Sequence, residues 1–340
     1  MSSAQPSVPP HVQVIQMATA YWLSQLIYTA TKLGVPDLLA DGPRSSVDLA
    51  QATRTNPRVF HRFLRSLAGF GIFAQQEDGR FAVTPLGATL QTGAPGAARA
   101  TVLTMASPWA WGAFGELQYS LETGEPSIEK VLGMGLFEHL AAHPDEAAQF
   151  SESMVGIHGA EPPAVAAAYD FSLYRSIVDV GGATGNMLAA ILSRHVGPRG
   201  VLFDRPHVVR DAPALLKARG VEERVTIEPG NFFDSVPAGG DAYVLSHIIH
   251  DWTEDQCLTI LGHCRKAMKP DGRLLIVEMV LPAGDTPHPG KILDMVMLVI
   301  PGGQERTEAE YAALLGKAGF RLTRVVPTAS AVGVVEAVVA

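Results

Sequence analysis

SIVDVGGATG, residues 176–185, is where the texture of the chain changes. An apolar, β-branched run ends at Val180, and Gly181, Gly182 and Gly185 follow at once, the pattern of a buried strand turning tightly into a helix. Working outward, further apolar runs lie near Gly200–Asp204, Val225–Pro229, Ala242–Ser246 and Arg273–Glu278, with two more at Phe320–Val326 and Val332–Val339. The intervening segments read as helices beginning near Thr184, Val208, Glu254 and Thr307. Strands alternating with helices predict a parallel α/β sheet from about residue 169 onward.

Ligands of such sheets sit at the carboxyl ends of the strands. A dinucleotide fingerprint would read Gly-x-Gly-x-x-Gly, but its third position here is Ala183 and its sixth Asn186. That favours a ligand without phosphates. Asp204 ends the second strand, where a carboxylate takes both hydroxyls of a ribose. Gly230-Asn231-Phe232 ends the third, with an amide and a ring to hold a base.

The fourth strand ends in SHIIHDW, residues 246–252, which sends His250 and Asp251 out beside that ligand. Glu278 ends the fifth strand, and Glu305 stands in PGGQERT, residues 301–307. A neutral imidazole is a suitable general base for a hydroxyl, and a carboxylate on its other nitrogen fixes the tautomer and stabilises the imidazolium. Glu278 and Glu305 are both expected in that role. The plainer alternative makes His250-Asp251 a helix N-terminal pair, with Asp251 or Thr253 as the cap. His247 reads as structural, alternating with neighbours that pack the sheet. No metal site is expected, because His263 and Cys264 fall mid-helix, away from His247 and His250.

Upstream, Val12 to Leu33 is helical and apolar on most of its surface, either a core helix or a subunit contact. Ser45 with Asp48 and Asn56 with Pro57 cap two helices. A hairpin over Ile72–Gln75 and Arg80–Val83 follows, turning at Glu77-Asp78-Gly79, so the unit reads as a winged helix. Residues 84–168 read as helices, with Phe114, Leu117 and Leu121 on one face of one and Phe150 and Met154 on another. The domain reading is a mobile terminus at 1–10, a winged-helix-like unit at 11–100, a helical linker region at 101–168 and the sheet domain at 169–340.

Of 340 residues, 47% are hydrophobic and 18% charged, with a net charge of −8, which gives no general attraction to nucleic acid or membranes. No apolar run approaches the ~20 residues of a membrane span, and the start lacks a secretion signal, so the cytoplasm is expected. Cys257 and Cys264 lie about 10 Å apart along one helix, too far for a disulfide.

In VDVGGATG, FDRPHVV, GNFFDSVP, SHIIHDWTEDQC, RKAMKPDGRLLIVEMVLP and PGGQERTEAEYAALLGKAGF, the chain resembles the class I S-adenosylmethionine-dependent O-methyltransferases, of the plant caffeate and bacterial small-molecule type. The resemblance implies a Rossmann-like seven-stranded sheet, mostly parallel with an antiparallel last strand. It also implies a mainly helical, winged-helix-like dimerisation domain and a homodimer formed through the N-terminal helices.

S-adenosylmethionine is the implied cofactor, held by Gly181, Gly182, Gly185, Asp204, Arg205, Gly230, Asn231, Phe232 and Ser246. His250 falls at the family's base, with Glu278, Glu305 and Asp251 around it. The acceptor is expected to be a phenolic small molecule lined by Trp109, Phe114, Phe150, Met154, Trp252, Met295 and Val299. The chain departs from the family in Ala183 for glycine, Asn231 for aspartate and Ser246 for lysine. Two rival readings remain at this point. One is a same-fold enzyme with other chemistry, such as an N-methyltransferase, hydroxylase or decarboxylase. The other is a DNA-binding regulator using Arg58, Arg62 and Arg65.

Overall fold

The structure, a computed structural model, describes residues 8–340, so the terminus expected to be mobile falls mostly outside the described residues. The chain forms two compact units. One comprises the chain up to Gly112 together with Leu140–Gly159; the other comprises Ala113–His139 and Ala160–Ala340. The stretch 101–168, read as one linker region, is divided between them. Among the described residues no helix is long and apolar enough to cross a membrane.

The first unit opens with α1 (Pro10–Thr19) and α2 (Tyr21–Lys32), where a single helix was expected. The break is at Ala20, whose amide bonds back three residues to Met17. The Thr19 hydroxyl donates to the Ile15 carbonyl at 2.8 Å, a back-bond that bends helices. α3 (Ser46–Ala52) and α4 (Pro57–Gly69) follow. The Ser45 hydroxyl accepts the Asp48 amide at 3.1 Å, and Asn56 Oδ1 accepts those of Arg58 and Val59. α4 buries Phe60, Leu64 and Leu67 and leaves Arg58, Arg62 and Arg65 exposed. β1 (Phe73–Gln75) pairs antiparallel with β2 (Phe81–Val83) to complete the wing. Phe114, Leu117 and Leu121, expected on one helix, fall on two. Phe114 lies at the end of α5 (Pro108–Gly115) and Leu117 opens α6 (Leu117–Thr123), because Glu116 leaves helical geometry between them.

The second unit is built on seven strands: β3 (Ser176–Val180), β4 (Arg199–Asp204), β5 (Val225–Pro229), β6 (Ala242–Ser246), β7 (Arg273–Glu278), β8 (Phe320–Pro327) and β9 (Gly333–Val339). Their order is β8-β9-β7-β6-β3-β4-β5, and only the last strand, β9, runs against its neighbours. The central strands β6 and β7 are apolar and buried along nearly their whole length because both faces are covered. Ala242 and Val244 of β6 face one core with Ile177, Leu188 and Leu192; Tyr243 and Leu245 face the other with Ile260, Leu261 and Leu315.

Three local features position the site. The chain runs outward from β3 to β4 and β5, then returns to place β6 on the other side of β3, so a crevice opens between the carboxyl ends of β3 and β6. Thr253 caps α7 (Glu254–Ala267) in a capping box with Gln256, so the cap falls on Thr253 and not on Asp251. Finally, Val280–Leu281 pairs in parallel with Arg306–Thr307, which draws the PGGQERT segment alongside the end of β7, just ahead of α9 (Glu308–Lys317). α8 (Gly290–Val299) leads into that segment.

Candidate active site

The turn after β3 is bonded to β4, with the amides of Gly181 and Gly182 both donating to the Phe203 carbonyl. Gly181 has φ +72°, and a Cβ there would lie 2.4 Å from Ile248 Cδ1. The space that Gly182, Gly185 and Gly230 leave is likewise taken by protein, by Asp179 and Leu202, by Leu202 and Leu216, and by the Phe203 ring. These glycines therefore bring turn, strands and helix together, rather than only admitting a ligand. Ala183 takes φ +50°, and its amide donates to Asp204 Oδ2 at 2.9 Å. The Arg205 amide donates to Asp204 Oδ1 at 2.6 Å. Burial holds the Asp204 carboxyl above the ordinary range, against the pull of those two amides.

At the end of β5, Asn231 Oδ1 is occupied by the Phe233 amide at 3.2 Å. The Phe232 ring meets Trp252 edge-on at 5.9 Å and lies near Gly181, so the third strand end does join the first. Ser246 ends β6 opposite Val277. Asp179, to which the sequence reading gave no role, is 1% exposed with neither carboxylate oxygen hydrogen-bonded, and burial pushes its pKa up to about 7. The crevice thus offers carboxylates, an aromatic ring and apolar walls. That donor set fits a cationic adenosine-bearing group such as S-adenosylmethionine and suits a pyrophosphate poorly.

His250 sits in the 3-10 turn Ile249–Asp251 and is 4% exposed. Its Nδ1 lies 2.6 Å from Glu305 Oε1, and its Nε2 lies 3.6 Å from Asp251 Oδ1. Glu278 was expected on the imidazole as well. Instead its Oε1 accepts the amides of Ile248 and His250, at 3.2 and 3.1 Å, and its Oε2 accepts the Tyr311 hydroxyl. Glu278 thus holds the backbone of the turn, and only Glu305 bonds the ring. Glu305 is itself held: its amide donates to Asp294 Oδ1 at 2.9 Å. The Gln304 amide donates to the His250 carbonyl at 2.9 Å.

Burial alone would press the His250 imidazole down. The charge of Asp251, the Glu305 hydrogen bond and the charge of Glu278 outweigh it, so its pKa stands well above 6.5. Burial also raises Glu305, against the pull of His250.

His247 does not continue the strand alternation. It lies past the end of β6 with φ +53°, a conformation uncommon outside glycine. Its Nε2 is 2.6 Å from Glu161 Oε2, and its ring centroid is 5.0 Å from that of His250.

Among the expected acceptor residues, Trp252 is the best placed: Phe137 stacks on it at 5.4 Å and Phe233 meets it edge-on at 4.8 Å. Met295 and Val299 lie on α8, Val299 fully buried as core. Phe114 is 40% exposed in the same unit. Trp109, Phe150 and Met154 belong to the other unit, where the Trp109 indole donates to Glu146 Oε2 at 3.1 Å. The sequence reading missed Glu161, Asp294, Gly303, Arg306 and Tyr311. Gly303, Arg306 and Tyr311 lie inside the quoted PGGQERTEAEYAALLGKAGF stretch, whereas Glu161 and Asp294 lie outside every quoted stretch and carry no local signal.

Comparison with known proteins finds two family models in this chain, an O-methyltransferase domain over residues 114–321 and an O-methyltransferase dimerisation domain over residues 15–93. A phenazine O-methyltransferase of Lysobacter antibioticus is 42% identical over 97% of both chains. An 8-amino-8-demethylriboflavin N,N-dimethyltransferase of Streptomyces davaonensis is 35% identical over 92% of this chain and 90% of that one. Among solved structures, a mitomycin 7-O-methyltransferase is similar with a TM-score of 0.91 and 37% identity, over 97% of this chain and 98% of that one. An O-methyltransferase from neocarzinostatin biosynthesis, in complex with S-adenosylmethionine and 2-hydroxy-5-methyl naphthoic acid, is similar with a TM-score of 0.83 and 29% identity, over 94% and 96%.

Proposed function

This chain belongs to the S-adenosylmethionine-dependent O-methyltransferases that carry an N-terminal dimerisation domain, and from that premise we propose that it methylates a hydroxyl of a small aromatic molecule with His250 as general base. The observation that carries the reading is the buried His250–Glu305 pair at 2.6 Å, on a turn whose amides Glu278 holds. When bound, S-adenosylmethionine supplies a methyl group on a sulfonium that needs no further activation. The chain must make the acceptor oxygen nucleophilic and hold it in line. His250 takes the hydroxyl proton, Glu305 stabilises the resulting imidazolium, and the carboxylate of Asp251 adds to that stabilisation. An aromatic acceptor is supported by the stacked Trp252, by a relative named as a phenazine O-methyltransferase and by a solved relative in complex with 2-hydroxy-5-methyl naphthoic acid.

A second reading, N-methylation, is favoured by the riboflavin relative. A neutral aryl amine attacks without prior loss of a proton, so it does not need the base. Incubating the protein with donor labelled in the methyl group and a panel of phenols and aryl amines, then locating the label by mass spectrometry, separates the two. Label on phenolic oxygen is expected; label confined to nitrogen would replace the proposal with the second reading.

Cofactor binding is assigned to Asp204 for the ribose hydroxyls, with the Gly181–Gly185 turn, Arg205, Gly230, Asn231, Phe232 and Ser246 around it. Charge-assisted hydrogen bonds contribute ~1.5–3 kcal/mol each, so Asp204→Ala should weaken S-adenosylhomocysteine binding by roughly 10–100-fold. Calorimetric affinity within about threefold of the parent would remove Asp204 from this role.

A homodimer is supported by the dimerisation-domain match and by the exposed Val14, Ile15, Met17 and Trp22 on α1 and α2. Sedimentation equilibrium should give twice the chain mass; a monomer at micromolar concentration would refute the assembly.

A further inference from the structure

Arg306 is the largest fully buried side chain among the described residues, 2% exposed. None of its hydrogen bonds goes to a carboxylate. Nη1 donates to the carbonyl oxygens of Ile249 at 3.3 Å and Gln304 at 3.1 Å, and Nη2 lies 3.8 Å from Cys257 Sγ. Burying a guanidinium on carbonyls alone is costly, and an apolar side chain of similar volume would fill the space at less cost. What the apolar replacement could not do is hold the Ile249 carbonyl.

That carbonyl is one residue before His250. Cys257, from α7, donates its thiol to the same oxygen at 3.2 Å. Other backbone groups of the turn are also held: Glu278 takes the amides of Ile248 and His250, and Gln304 donates to the His250 carbonyl. The backbone of Arg306 is in turn fixed by pairing with Val280, two residues beyond Glu278. The guanidinium therefore ties the PGGQERT segment and α7 to one turn, while the backbone of the same residue anchors that segment beside the end of β7.

We propose that Arg306 is a positioning residue for the reaction, holding the Ile249 carbonyl so that the His250 imidazole is presented at a fixed place and angle. The positive charge also acts on its surroundings, drawing the Asp294 carboxyl and the Cys257 thiol downward against burial. The proposal rests on His250 being the base, and the test is chosen to separate the two.

Arg306→Met and Arg306→Lys are compared with the parent in kcat, acceptor KM, S-adenosylhomocysteine affinity and the His250 imidazole titration followed by NMR. Misplacing a reacting group by about 1 Å costs on the order of 100-fold, so Arg306→Met should lose about that in kcat, with KM and cofactor affinity within about threefold. Its His250 titration should move, and Arg306→Lys, which can still reach one carbonyl, should recover about tenfold of the loss. Parent-like kcat in a folded Arg306→Met protein overturns the proposal. So does an unchanged His250 titration with activity and cofactor affinity falling together, the result of a merely structural role. Should Arg306→Met not fold, Arg306→Lys decides alone: lower kcat at unchanged KM supports the role, and parent-like kcat and titration overturn it. If His250 is not the base, His250→Ala keeps its turnover while Arg306→Met still displaces the imidazole titration.

Discussion

His250→Ala is expected to lower kcat by about 10²–10⁴-fold, the range that positioned proton transfer contributes, while S-adenosylhomocysteine affinity stays within about threefold. The imidazole is buried in the turn, so its loss removes the one group placed to take a proton there without touching the Asp204 region. Glu305 then remains buried without its partner, a stability cost that a thermal melt measured alongside will show separately. The sign of the pH dependence follows from the raised pKa. A base works only when deprotonated, and the acidic groups around His250 keep it protonated above its ordinary 6.5. Turnover should therefore be low near neutrality and rise with pH along a limb lying above 6.5. Glu305→Gln removes the hydrogen-bonding charge, so the limb should move to lower pH while the plateau falls. Full turnover in His250→Ala, or a parent limb at or below 6.5, would sink the general-base reading.

The second large effect is expected from Gly303→Ala. A Cβ on Gly303 would lie 1.9 Å from the His250 carbonyl oxygen and 2.6 Å from the Asp251 carbonyl carbon. Both are backbone atoms, so no side chain can swing away to make room. The PGGQERT segment must lift off the turn, carrying Glu305 from His250 Nδ1 and breaking the Gln304 bond. Overpacking of this kind costs ~1–3 kcal/mol, and the lost alignment should cost on the order of 100-fold in kcat. Gly316→Ala is the matched control. It lies in α9 with nothing within 4 Å of the added carbon, and it should be neutral or stabilising by ~0.5–1 kcal/mol. Equal behaviour of the two variants in melts and turnover would show that the close approach at Gly303 does not matter.

Much of the fold is legible in the residues. The apolar runs at Ala242–Ser246 and Arg273–Glu278 announce strands covered on both faces, and the Asn56-Pro57 cap and the helix start read near Thr307 stand within a residue of the observed helix starts. What escapes is whatever depends on distance in space. Glu278 and Glu305 look equivalent in one dimension, but strand register aims Glu278 at amides and leaves the ring to Glu305. Arg306 draws no reading in one dimension, because arginine is mostly exposed, yet in the fold it is buried beside the short pairing with Val280. Gly303 is one of two glycines in PGG, and nothing local distinguishes the one pressed against His250. The helix break at Ala20 is set by a back-bond from Thr19, which the apolar periodicity overlooks.

The route of the backbone between the two compact units carries a further implication. It passes from one to the other after Gly112, after His139 and after Gly159. The sheet unit therefore owns a detached insert, Ala113–His139, that brings Phe137 onto Trp252 and Ser127 onto the Ala113 carbonyl. Sequence boundaries drawn as consecutive blocks cut through this weave. A gene exchange or proteolytic nick near residue 169 would yield a sheet bereft of its own insert, its indole bared to water.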